Sequence, residues 1–224
     1  MTAQTLVSEV QQVEVVSSSY ERFAGISALF AAAAGLLYSL SFVVLKDPLL
    51  YSLFLLLGGF FTLVVVVGLY ERLRGYSPAF ALLALLLGAV GALGSAIHGG
   101  YDLSNAINSP ISNPVADANL PNELDPRGLL TFAVAGLSVL IFSWLMTRMD
   151  FFPKSLGYVG YVLAVLMLVI YLVRLVILDP NASPIIPAVL GLTGLIISPL
   201  WYAWLGLTFL RRSGSMGVSR DTTA

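Results

Sequence analysis

The chain has 224 residues, 58% of them hydrophobic and only 10% charged, with a formal net charge of -1. That leaves too little polar surface to coat a water-soluble globule, and the scattered basic residues form no patch for nucleic acid. The absence of cysteine excludes thiolate zinc sites, Fe–S clusters and thiol redox chemistry.

Residues 1–22 are polar, carry Glu9, Glu14 and Glu21 against Arg22, and lack the apolar core of a cleavable signal. They read as a flexible cytoplasmic N-terminus, and the first apolar run as a retained signal-anchor. Six apolar runs then follow, near 24–45, 49–70, 79–97, 128–146, 156–178 and 185–210. A hydrocarbon core of about 30 Å needs roughly 20 apolar residues in a helix, and every run comes close to that or exceeds it. The expected fold class is therefore all-α: a polytopic membrane protein, one bundle of six transmembrane helices over 23–211. An outer loop is expected over 99–127 and a flexible cytoplasmic C-terminus over 212–224.

In the first run Ala24, Ala28 and Ala32 recur every fourth residue, and in the third Gly88, Gly91 and Gly94 recur every third. Small residues let helix backbones approach closely, so both runs are expected inside the bundle. The second, fourth and fifth, richer in Leu, Val, Ile and Phe, are expected to face lipid. Entry to the second, fourth and sixth runs carries one dipeptide: Asp47-Pro48, Asp125-Pro126 and Asp179-Pro180. An Asp at the N-cap accepts orphan backbone N–H groups, and Pro at the first helical position gives up an N–H that had no partner. The same spacing is also compatible with an ancestral helical-hairpin repeat.

The third run continues into His98-Gly99-Gly100-Tyr101-Asp102-Leu103-Ser104-Asn105-Ala106-Ile107-Asn108, which holds the only histidine. If the helix passes through the paired glycines, His98, Tyr101, Asp102, Asn105 and Asn108 share one stripe at three- and four-residue spacing. If the glycines break it, His98 only marks the membrane exit. The imidazole is open to three readings: a bond to a nearby carbonyl, a ligand-binding or proton-linked role with Asp102, or metal ligation completed by Asp102, Glu123 and Asp125. In the fifth run Arg174 is the only charge well inside a span. It either snorkels to the headgroups or turns inward to pair with Asp102, Asp125 or an anionic ligand. Arg127 reads as a surface or headgroup contact. In the sixth run Pro199 cannot donate to the carbonyl of Leu195 and should kink the helix, with Thr193 and Ser198 satisfying the freed groups. Trp201, Tyr202 and Trp204 follow at the level of an aromatic belt.

Positive residues near span ends are retained in the cytoplasm. Arg22, Arg72, Arg74, Arg148, Lys154, Arg211, Arg212 and Arg220 lie on the side of both termini, against Lys46, Arg127 and Arg174 on the other. The termini are accordingly expected inside. No mid-span lysine offers a retinal Schiff base, and one histidine cannot make a bis-His haem or supply a multi-histidine ceramide hydrolase. Gly-x-Ser-x-Gly, His-x-x-x-His and Gly-Lys-Ser/Thr motifs are missing, which removes support for serine hydrolase, zincin and P-loop chemistry.

At His98-Gly99-Gly100-Tyr101-Asp102 and Asp125-Pro126-Arg127-Gly128-Leu129-Leu130-Thr131-Phe132 the chain resembles a family of uncharacterised six-span bacterial integral membrane proteins. That resemblance implies a helical bundle in a bacterial cytoplasmic membrane and brings no activity. The Ala24, Ala28, Ala32 face is similar to that of the substrate-capture subunits of energy-coupling-factor vitamin transporters, which implies a six-span fold with an outward pocket. The leading expectation is a non-enzymatic protein that binds a small or amphiphilic ligand through His98, Tyr101, Asp102, Asn105, Asp125 and Arg174. A transporter subunit and a metal-assisted lipid-modifying enzyme are the alternatives. No cofactor is expected. The expected partners are membrane lipid, a small-molecule ligand, and a membrane protein or second copy.

Overall fold

The structure, a computed structural model, describes residues 3–108, 124–176 and 185–218. Among these every regular element is helical. Six helices are long and apolar enough to cross a membrane: Ser19–Leu45, Pro48–Leu73, Pro78–Asn108, Pro126–Arg148, Lys154–Val176 and Ala188–Arg211, here spans one to six. Span one is the later part of a helix that starts at Ala3.

Small residues set both the direction and the order of the spans. Gly25 lies against Gly206, and Ser39 against Gly194, so spans one and six run antiparallel. Gly58 meets Ala34 while Gly68 meets Ala24, which does the same for spans one and two. Gly88 touches Ser138, Gly91 touches Ala135 and Gly94 touches Leu130, so number falls along span four as it rises along span three. These contacts bring the helix axes close because no side chain stands between them. Each span packs on its chain neighbours, and span six closes on span one. The start of span one and the end of span six therefore lie at one end of the bundle, called proximal here. The joint between spans one and two, and the ends of spans three and five, lie at the distal end.

Ala24 and Ala28 are fully buried, Ala32 is 7% exposed, and Gly88, Gly91 and Gly94 are buried, as their spacing predicts. Span four departs from expectation. It has the largest buried share of any span, 44%, and presents Gly136, Ser138, Val139, Phe142, Ser143, Leu145 and Met146 to its neighbours. Its apolar composition suits lipid and core equally, so only the packing decides between them. Trp201 is likewise not a belt residue. It is 1% exposed and packs in the core with Phe142, Leu163 and Leu205. The distortion expected at Pro199 takes the form of a π turn, Leu192–Ile197, directly before the proline. Thr193 donates there to the carbonyl of Val189 at 2.7 Å.

Candidate functional site

The polar residues of the distal end converge because helix three does not stop at its paired glycines. It runs unbroken to Asn108. Gly99 is held by a neighbour: a Cβ there would fall 2.8 Å from the carbonyl oxygen of Ser52, so span two packs directly on the bare backbone. His98 and Asp102 consequently sit one turn apart on a continuous helix, with Nε2 of His98 3.2 Å from Oδ2 of Asp102.

The other ring nitrogen faces a second carboxylate. Nδ1 of His98 lies 3.3 Å from Oδ2 of Asp125, whose side chain is wholly buried at the entry to span four. Only an imidazolium can donate from both nitrogens at once. Asp125 arrives there through a chain reversal. Within the short turn Pro126–Gly128, Arg127 at φ 57° and Gly128 at φ 81° are both left-handed, and the π turn Leu129–Val134 then leads into the regular helix. The expected capping at the Asp-Pro pairs appears in two forms. Asp47 caps conventionally, accepting from the N–H of Leu49 at 3.0 Å and of Leu50 at 3.1 Å. Asp125 reaches across the reversal instead. It accepts from Leu130 N–H at 2.7 Å, Thr131 N–H at 3.3 Å and the Thr131 hydroxyl at 2.6 Å. Asp179 lies outside the described residues, as does Glu123.

Burial alone would push the Asp125 carboxyl up, but the bonds from His98, Thr131 and Leu130 outweigh it and hold the group below the usual carboxylate range. A buried carboxylate with this many donors is a fixed negative charge at a helix start, where the macrodipole also favours it.

Arg174 turns toward the bundle. Its guanidinium lies over the ring of Phe132, 5.6 Å from the centroid, and against Gly128, 3.0 Å from where a Cβ would stand. Of the six residues singled out in the sequence, His98, Asp102, Asp125 and Arg174 are thus gathered at one place. Tyr101 is 47% exposed and Asn105 half-buried, and among the described residues neither bonds to the group. Asn108 donates locally to the carbonyl of Ser104 at 2.8 Å.

Two members were missed in the sequence. Thr131 supplies the shortest bond to Asp125. Tyr38 of span one lies within electrostatic reach of Arg174, Asp102 and Asp125, and packs on Phe42 and Tyr51. Its run, Tyr38-Ser39-Leu40-Ser41, is the one polar interruption near the distal end of span one and was the available signal. The geometry offers fixed charges and hydrogen-bond donors. Among the described residues no group of three His, Cys, Asp or Glu is arranged to hold a metal ion. Both nitrogens of His98 already face carboxylates, so ligation there would have to displace one of them.

Among the described residues all three π turns, Ser41–Leu45, Leu129–Val134 and Leu192–Ile197, fall in the distal halves of spans one, four and six. Such turns recur at functional positions because they rotate side chains out of the regular helical register. Searches against protein-family models, curated proteins and solved structures return no match to this chain.

Proposed function

We propose that this is a non-enzymatic, multi-pass protein of a bacterial cytoplasmic membrane, with both termini cytoplasmic, that binds a small or amphiphilic ligand at its outward end. The observation that carries the reading is the His98 imidazole held between Asp102 and Asp125 with the Arg174 guanidinium beside them. Ionisable groups are costly at membrane depth and are kept where a ligand, ion or proton uses them. The π turns and left-handed residues gathered at the same end support it, because strained backbone concentrates where side chains must be aimed. The excess of Lys and Arg on the side of the termini supports the orientation.

The test is thermal unfolding of the purified protein with and without a membrane extract, in the wild type and in Asp102→Ala and Arg174→Ala. A rise in midpoint with extract is expected in the wild type and is expected to disappear in either variant. No rise in the wild type overturns the reading. For orientation, a periplasm-only reporter fused at Val115 is expected to be active and one at the C-terminus silent; the reverse pattern overturns the topology. Ala24, Ala28 and Ala32, on which the transporter-subunit alternative rests, are buried within the bundle.

A further inference from the structure

Two buried polar groups point at the same spot between spans four, five and six, in the proximal half of the bundle. The hydroxyl oxygen of Ser143 on span four and the indole Nε1 of Trp201 on span six each make no hydrogen bond among the described residues. Ser143 is 0% exposed and Trp201 1% exposed, so neither is hydrated from outside. A hydroxyl or an indole N–H left bare in a packed interior carries its desolvation cost uncompensated, and buried polar groups ordinarily have a partner.

Gly160 of span five brings the two together. A Cβ there would collide with the Ser143 hydroxyl and fall 2.8 Å from Nε1 of Trp201, so both polar atoms border one patch of bare backbone. The serine is turned away from the bond its own helix offers. Ser52, Ser95, Thr193 and Thr208 each donate to the carbonyl four residues earlier, at 2.5 to 2.9 Å. Ser143 has the same option at Val139 and instead directs its oxygen across to Gly160. The indole is fixed by the core, where Trp201 packs with Phe142, Leu163 and Leu205 and meets the Tyr202 ring edge to face. All three stretches are regular α-helix, so their backbone groups are already bonded within each helix.

An indole N–H only donates, whereas a hydroxyl both donates and accepts. One small molecule that accepts from the first and donates to the second satisfies both, and water is the smallest that does so. We propose that a single water molecule is bound between Trp201 and Ser143 beside Gly160, bridging spans six and four over the bare backbone of span five. Span six has the smallest buried share of any span, 17%, so apolar packing constrains its rotation least. A directional bridge through Trp201 supplies that constraint.

The full chain, isotope-labelled at the indole nitrogens, is to be studied in detergent by rotating-frame cross-relaxation between each indole proton and water. The Trp201 signal is the one that disappears in Trp201→Phe. A through-space cross-peak from its indole proton to water is expected in the wild type. It is expected to persist in Ser143→Ala, which removes the neighbouring hydroxyl that could relay magnetisation from solvent while keeping the indole donor and widening the site. It is expected to be lost in Gly160→Ala, whose methyl occupies the junction. No cross-peak in the wild type overturns the proposal. So does its loss in Ser143→Ala, which identifies a direct bond from the indole to the hydroxyl, and so does its survival in Gly160→Ala, which places the water elsewhere. Where Gly160→Ala does not fold, the wild type and Ser143→Ala decide.

Discussion

The two ends of the bundle solve the problem of charge in a membrane differently. At the proximal end Glu21, 1% exposed, pairs with Arg72, whose guanidinium lies over the ring of Phe151 at 4.4 Å. Phe151 and Phe152 contact Phe209, so one ion pair and three rings tie spans one, two and six to the turn between spans four and five. The apolar core fills this half, with Leu69, Leu73, Leu145, Leu156 and Leu205 within 1% of full burial. At the distal end the charges form a group drawn from spans three, four and five, and the backbone around it is irregular. Among the described residues all three with positive φ, Lys46, Arg127 and Gly128, lie there, together with the three π turns. The proximal pair is a closed structural contact; the distal group keeps donors and strain in the same place. A protein holds strain of about 1–3 kcal/mol per residue only where the surrounding structure supports it, and such places are commonly where it works.

Four substitutions sharpen this contrast, each read as the unfolding midpoint in detergent together with the response to membrane extract. Glu21→Ala leaves the Arg72 charge without its carboxylate and is expected to have the largest effect, a loss of about 3 kcal/mol, with the extract response intact in the folded fraction. Gly68→Ala forces a methyl against the Cβ of Ala24, 2.7 Å away, and is expected to cost about 2 kcal/mol, again without altering the response.

Asp125→Ala removes the acceptor for Leu130 and Thr131 and one partner of His98. It is expected to cost about 1–2 kcal/mol, as a lost cap does, and to abolish the response. The wild type should show the same dependence on acid. The Asp125 carboxyl is held below its unfolded value near about 3.9, so its contribution is complete above that value and is lost as pH falls through the lower folded value. An acid titration should therefore weaken the wild type below about pH 4 more than it weakens Asp125→Ala; equal slopes would dissociate Asp125 from the distal end's stability. Tyr101→Ala is expected to change both readouts least, within about 0.5 kcal/mol, because the side chain is exposed. A loss of ligand response there would place the binding surface on the outer face of helix three instead of on the His98 group.

The stripe from His98 to Asn108 shows how far spacing alone reaches. It places His98 and Asp102 on one helical face, and they do meet, but Tyr101 shares the stripe and still stands exposed. A three- or four-residue spacing defines a face about a quarter of the helix wide, and which edge of it turns inward depends on what the neighbouring span presents. Arg174 makes the same point. The sequence left it between lipid and bundle, and the contact with Gly128 and Phe132 decides, because only the glycine leaves room for a guanidinium. Glu21 reads in sequence as one acid in a polar N-terminal stretch, although its burial against Arg72 makes it the most enclosed charge described at the proximal end.

Hydropathy by itself determined the six spans, and the small-residue spacings marked the packed faces of spans one and three. Both are local sums over a few turns of helix, and bilayer thickness imposes the same length on every span. Tertiary structure alone decided that span four is core, that Trp201 is buried, and that His98 stands between carboxylates from two different helices. Each of those depends on the rotation of one helix about its axis relative to another. With lipid as apolar as the side chains, that rotation is set by close packing of neighbours and not by hydrophobicity.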